Sequence, residues 1–258
     1  MTFPQPTRVE EVLLPGELPI WAHPGWMDRF PWLVQGTTGA GGAEEPFDLG
    51  LFGEQPVGAV LDRWRRLRLA TGMRASVHAR QLHGIQLVHH RNPDIQGMLV
   101  MEGFDGHLTD QPGVLLAVSV ADCVPIFLVD PEHRALAAVH AGWRGVAGGV
   151  LEIAVQRMAE HFGSRPGEIF MHCGPAICGE CYEVGPEVHL AVHPARPTPA
   201  ARAPIDLRGA LVGRGIAAGL SAVRVTISAH CSRCGPGSFF SHRAGSAGRQ
   251  MGVLGRTE

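Results

Sequence analysis

Cys123, His140 and His83 are the residues of this chain whose types and spacing could close on one metal ion. Two of them lie in residues 118–145, VSVADCVPIFLVDPEHRALAAVHAGWRG, which reads as two short strands, 124–129 (VPIFLV) and 134–139 (RALAAV). Between them Asp130-Pro131-Glu132-His133 suits a type I turn, with Asp and then Pro in its first two positions. Pairing about the centre of that turn sets Cys123 opposite His140, with Cβ atoms about 4.5–5.5 Å apart on one face. A bulge at Pro125 would shift that register by one and separate them. His83 is the best third donor. A His/Cys/His set leaves a tetrahedral zinc one open position, the mark of a catalytic site, and zinc there lowers the pKa of a bound water to about 7. The alternative is a cysteine and two histidines that meet in a core by chance.

The elements that must position these donors follow from periodicity. Residues 81–90 (QLHGIQLVHH) alternate as a strand, and 113–121 (GVLLAVSVA) is a nearly continuous apolar strand of the kind buried on both faces. After His140 the chain turns into a helix over 146–162 whose inward stripe is Val150, Leu151, Ala154, Val155 and Met158. Residues 57–71 suit an amphipathic helix with Val60, Leu61, Trp64, Leu67 and Leu69 inward and an arginine-rich solvated face. Residues 1–60 suggest strands and loops, with 36–42 (GTTGAGG) a flexible turn that is a poor phosphate-site signal by itself. Strands follow at 168–173 and 223–228, a proline-rich surface loop at 193–204, and a helix from Asp206, its N-cap, to about Ala222. Strand-rich stretches interspersed with helices point to a single-domain mixed α/β sandwich, antiparallel or mixed sheets flanked by helices. The expected domain spans 30–258, after an N-terminal extension of 1–29.

Composition narrows the classes. The chain has 258 residues, 45% hydrophobic and 18% charged, with a formal net charge of −2. That balance favours neither nucleic acid nor an anionic membrane as partner. The 22 basic residues are all arginine, so mechanisms that need a lysine are out. No basic region followed by an apolar core opens the sequence, so no secretory signal is expected. Six cysteines without an export signal point to a reducing cytoplasm, where thiols ligate metal, catalyse or pack.

Several motifs together resemble the bacterial YfiH/YlmD-like family: Gln81-Leu82-His83-Gly84, Ala121-Asp122-Cys123-Val124-Pro125 and, most specific, His140-Ala141-Gly142-Trp143-Arg144-Gly145. Further matches are Gly174-Pro175-Ala176-Ile177, Cys181-Tyr182-Glu183-Val184-Gly185 and Phe239-Phe240-Ser241-His242-Arg243. The family has been labelled multicopper polyphenol oxidase, laccase-domain protein and peptidoglycan editing factor. The resemblance implies a zinc-dependent purine nucleoside phosphorylase that also deaminates adenosine and cleaves methylthioadenosine, with His83, Cys123 and His140 as zinc ligands. Its partners would be a purine nucleoside and phosphate. Asp122 is the candidate general base or proton shuttle, or else a carboxylate that caps a turn. Arg144, next to the helix after His140, is placed for a phosphate or a structural ion pair, and Arg243 is a similar candidate.

The chain departs from the family pattern at Gly39, where an arginine is usual, at Asp48 in place of asparagine, and at Ala244 in place of a second arginine. Those losses bear on phosphorolysis and keep a non-catalytic peptidoglycan-editing role open. A blue multicopper oxidase needs His-x-His pairs, which are absent, so copper finds no support in the ligand pattern. A deaminase-type zinc site needs His-x-Glu, also absent. A metal-free amidohydrolase or deamidase with Cys123 as nucleophile and His140 as base uses the same residues. Finally, Cys178-Gly-Glu-Cys181 and Cys231-Ser-Arg-Cys234 read as C-x2-C twice. Their separation exceeds that of common zinc ribbons, and reduced, buried thiols are the expectation.

Overall fold

The computed structural model describes residues 6–42, 44–92 and 94–257. Two seven-stranded mixed sheets lie face to face. The first runs Thr7–Val9, Val225–Ser228, Phe170–Cys173, Val124–Asp130, Ala135–Ala141, Gly106–Thr109, Leu87–His89, and the second Val12–Leu13, Ile20–Ala22, Leu33–Thr38, Gln250–Arg256, Val114–Val120, Ala75–Arg80, Gly97–Glu102.

Strand periodicity of two explains the layering. Phe127, Val129, Leu136 and Ala138 of the first sheet meet Val77, Val114, Leu116, Val118 and Leu254 of the second in a central apolar layer. Their alternate neighbours Ile126, Leu128, Ala137 and Val139 face outward, onto the helices Val150–Phe162 and Leu207–Ala217. Leu115, Ala117, Met251 and Val253 face outward from the second sheet onto Val60, Trp64 and Leu67 of the helix Val57–Ala70. Strands covered on both faces must be apolar at every position, which is why 113–121 lacks alternation. The result is the expected mixed α/β sandwich, helices outermost.

Some local expectations are corrected. Residues 36–42 are not a free turn, because Gly36 and Thr37 lie in the strand Leu33–Thr38 and pair with Val253 and Gly252. A Cβ on Gly36 would lie 2.6 Å from the Ile20 side chain, so glycine serves close strand approach there. At Gly39 a Cβ would lie 2.8 Å from the Ser238 carbonyl oxygen and 3.1 Å from Trp21 Nε1, so the fold has closed over the place of the missing arginine. Leu61 and Leu69 are exposed, leaving Val60, Trp64 and Leu67 as the inward stripe. The helix expected over 146–162 is two helices, Trp143–Gly148 and Val150–Phe162, broken at Gly149 with φ 84°. Its buried residues Val150, Leu151, Ala154, Val155 and Met158 are those expected. Asp206 caps the last long helix by accepting from Arg208 N at 3.0 Å, and that helix ends at Ala217, short of Ala222.

Buried histidines give the fold a pH dependence. His78 Nδ1 faces the Ala117 carbonyl at 3.1 Å, so it donates there. His90 Nε2 faces His107 Nδ1 at 3.0 Å. Burial pushes both His78 and His90 down to about 4. Each folded pKa lies below the unfolded one, so the stability it contributes is complete above about pH 6.5 and is lost as pH falls toward 4. Urea unfolding is expected to give a free energy about 2–4 kcal/mol lower at pH 5 than at pH 7. A flat profile over that range would contradict this assignment.

Candidate metal centre

The chain leaves the second sheet at Val120 and enters the first at Val124, so Ala121-Asp122-Cys123 is the corner between them. Asp122 turns that corner with φ 87°, a left-handed conformation that asparagine and aspartate tolerate better than most residues. The hairpin that follows pairs Val124 with Ala141, Pro125 with His140 and Asp130 with Ala135. The expected register, Cys123 opposite His140, is therefore wrong. The turn takes in Arg134, at φ 50°, and its centre lies one residue later. A displacement by two positions keeps parity, so Cys123 and His140 stay on one face as diagonal neighbours.

His83 does not come from a strand. Residues 81–86 form a loop, and only Leu87–His89 pairs in the sheet. The loop is tied to its surroundings: Gln81 accepts from Ser119 N at 2.6 Å and donates to Ser119 O at 2.9 Å, while His83 itself has φ 57°. In this way His83, Cys123 and His140 offer donor atoms that all lie within 4.8 Å of one another. Cys123 Sγ is 4.0 Å from His83 Nε2, and the two imidazole rings stand edge to face at 4.8 Å. His83 is exposed, Cys123 half-buried and His140 buried, so the trio opens to solvent on the His83 side. Gly142 is its floor: a Cβ there would lie 2.9 Å from His83 Cδ2 and 3.1 Å from Cys123 Sγ.

Asp105, absent from the residues singled out by sequence, holds this arrangement. Its Oδ1 accepts from His140 Nδ1 at 2.9 Å, its Oδ2 accepts from Gly84 N at 2.7 Å and Leu82 N at 3.2 Å, and its carbonyl accepts from His140 N at 2.7 Å. One buried carboxylate thus orients His140 and fixes the loop that carries His83. With Nδ1 engaged, His140 turns Nε2 toward the other donors, the carboxylate–histidine arrangement that sets tautomer and basicity in metal sites. Burial raises the Asp105 pKa, but hydrogen bonds from His140 and Gly84 outweigh it and hold the carboxyl below its ordinary range. Burial would also raise the Cys123 thiol, yet the neighbouring His140 charge and hydrogen bonds from both imidazoles bring it to about 6. Burial would lower His140, but Cys123 and Asp105 raise it to about 9. A soft sulfur and two imidazoles, preoriented and with one open side, fit zinc. Asp105→Asn is expected to weaken zinc binding at the trio by about 10–100-fold, measured by chelator competition; unchanged affinity would remove Asp105 from this role.

Asp122 does not point a free carboxylate at the trio. Its Oδ1 accepts from Ser232 Oγ at 2.6 Å and its Oδ2 from Arg243 N at 2.7 Å. Arg144 is exposed in the first turn of a helix of six residues, its guanidinium 4.4 Å from the Trp143 ring. Arg243 lies over the ring of Tyr182 at 4.8 Å and donates to the Glu183 carbonyl at 2.9 Å. Tyr182, the one tyrosine of the chain, was not expected as a site residue. Its hydroxyl pKa is raised, by burial first and then by the field of Cys123. A surface groove of about 420 Å³ lined by Leu13, Leu14, Pro19, Trp21 and Ser238 contains none of these residues.

Comparison with known proteins gives the family and the fold. Residues 36–257 match the family described as multi-copper polyphenol oxidoreductase laccase. A Deinococcus radiodurans protein named purine nucleoside phosphorylase is 38% identical over 205 residues, 76% of this chain and 77% of that one. The adenosine deaminase RL5 of an unknown prokaryotic organism is 40% identical over 152 residues, 55% of this chain and 58% of that protein. The crystal structure of YlmD from Geobacillus stearothermophilus superposes with a TM-score of 0.86 at 29% identity, covering 97% of this chain and all of that one.

Proposed function

The chain belongs to the multi-copper polyphenol oxidoreductase laccase family, and on that premise we propose that it is a zinc-dependent purine nucleoside phosphorylase that also deaminates adenosine and cleaves methylthioadenosine. The observation that carries this reading is the convergence of His83, Cys123 and His140 from separate segments to within 4.8 Å, oriented by one carboxylate. The names of the relatives, a phosphorylase and a deaminase, supply the reaction classes. When bound to these residues, zinc supplies a Lewis acid.

The rest of the work falls to the chain itself. Asp105 keeps the His140 Nδ1 proton in place, so that Nε2 faces the site. Arg144, with its exposed guanidinium, is the residue assigned to an anionic cosubstrate such as phosphate, and Arg243 is assigned to orienting Tyr182 beside it. Asp122 is assigned as a positioning residue, since both of its oxygens already accept hydrogen bonds from Ser232 and Arg243. No helix among the described residues is long and apolar enough to cross a membrane, and a small soluble substrate in the cytoplasm fits this reading. Incubation with adenosine separates the activities: adenine and ribose 1-phosphate formed only with phosphate report phosphorolysis, and inosine formed without it reports deamination. Absence of both products with zinc-loaded protein would leave the peptidoglycan-editing reading in its place.

One observation favours a second reading. Asp105–His140 beside Cys123 is also the order of a carboxylate, base and thiol nucleophile, as in a Cys/His amidohydrolase. Iodoacetamide-sensitive activity in metal-free protein would select it, and zinc-dependent activity selects the first.

A further inference from the structure

We propose that Cys178, Cys181, Cys231 and Cys234 form a second metal centre, a structural zinc tetrathiolate distinct from the His83–Cys123–His140 trio. The two C-x2-C turns, distant in sequence, bring their sulfurs to within 4.8 Å of one another, with Cys178 Sγ and Cys234 Sγ 3.9 Å apart. All four cysteines are free. A zinc ion with Zn–S bonds of about 2.3 Å has tetrahedral S–S edges of about 3.8 Å, so these sulfurs already stand near the required spacing. A disulfide would need two of them to close to about 2.05 Å.

The backbone is arranged for charged sulfur. Cys231 Sγ accepts from Cys178 N at 3.2 Å, Arg233 N at 3.4 Å and Cys234 N at 3.5 Å. Three amide donors on one sulfur suit a thiolate, because a charged acceptor makes the stronger bonds. Gly235 closes the second turn by donating to the Cys231 carbonyl at 3.2 Å, and a Cβ at that position would lie 2.5 Å from the same oxygen. The two turns are held in register by the parallel bridge between Ala176 and Cys231, with Ser232 N donating to Ala176 O at 3.1 Å. The four thiols are free, as the spacing suggests, but they are not the buried group expected: Cys231 is buried, Cys178 and Cys181 are half-buried and Cys234 is exposed. Arg233 donates to the Cys181 carbonyl at 3.2 Å, which sets a positive charge beside a centre whose four thiolates exceed the charge of one divalent ion.

The position suggests what the ion does. Ser232, between two of the ligands, donates to Asp122, the neighbour of Cys123, and Tyr182 follows Cys181 directly. A metal here locks residues 176–182 to residues 229–235 and fixes both the Asp122 corner and the Tyr182 ring from outside the trio.

The test is metal content of protein purified without chelator, together with Co²⁺ substitution. A His83→Ala/His140→Ala variant is expected to keep one zinc equivalent, and its Co²⁺ form to show the intense thiolate charge-transfer bands of a tetrathiolate site. A Cys178→Ser/Cys234→Ser variant is expected to lose that equivalent and keep the one at the trio, so failure of either centre is read separately. Should the cysteine variant not fold, the histidine variant alone decides. No zinc and no thiolate bands in the histidine variant would overturn the proposal, as would disulfides in the unreduced protein by mass spectrometry, or stoichiometric iron in place of zinc.

Discussion

On the proposed reading, Cys123→Ala is expected to lower kcat/KM for purine nucleosides by about 10³-fold and to abolish zinc binding at the trio. The estimate takes a Lewis acid to contribute several kcal/mol, about 4, to the transition state. The substitution removes the one soft donor and leaves two imidazoles, of which only His140 is held by a buried partner. The fold should survive, because Cys123 lies at a half-buried corner outside the strands. Metal analysis, circular dichroism and steady-state kinetics on the same preparation check all three statements. Wild-type activity in a zinc-free Cys123→Ala protein would refute the metal reading and the thiol-nucleophile reading together.

The second large effect is on stability. Glu11 sits where the chain passes from the strand Thr7–Val9 in the first sheet to Val12–Leu13 in the second, with its side chain fully buried. Its Oε1 accepts from His172 Nε2 at 2.9 Å and its Oε2 from Ser228 Oγ at 2.7 Å, while His230 Nε2 donates to its carbonyl at 3.1 Å. Glu11→Ala would strand the His172 and Ser228 donors, while His230 keeps the backbone carbonyl, and breaking such a buried pair costs about 3–5 kcal/mol. In a chain of this size that corresponds to a fall in Tm of roughly 6–20 °C, measured by differential scanning calorimetry at pH 7. Burial alone would raise the Glu11 pKa, but the hydrogen bond and field of His172 and the hydrogen bond of Ser228 bring it below 4.5. This stability is therefore present above pH 4.5 and lost as the pH falls below it, so the difference between wild type and variant should shrink in acid. A Tm within two degrees of wild type would show that the carboxylate does not hold the segment.

Legibility in the sequence followed the range of each interaction. The apolar strands 113–121 and 124–129 and the stripe Val150 to Met158 were readable because both sheet faces and the helix face are set by local period. The nearness of Cys123 and His140 follows from parity alone: the hairpin register is displaced by two positions from the one its turn suggests, and both residues stay on one face. Asp105 was invisible: one acidic residue among 24, with no spacing relation to His83 or His140, brought to both by strand pairing. Residues 81–86 alternate like a strand, but their hydrogen bonds go to Asp105 and Ser119, a choice only tertiary contacts make. The closing of the fold over Gly39 likewise depends on neighbours far along the chain, Trp21 and Ser238. The Cys-x2-Cys pairs were visible as motifs, but their meeting depends on the bridge between Ala176 and Cys231.

Whether the trio holds zinc is tested most directly by an anomalous difference map, recorded on both sides of the zinc absorption edge, from crystals of protein purified without added metal or chelator. A peak is expected between His83 Nε2, Cys123 Sγ and His140 Nε2, at distances of about 2.0–2.1 Å from nitrogen and 2.3 Å from sulfur. A map in which these side chains are well ordered around no anomalous density, in protein that still turns over adenosine, would contradict it.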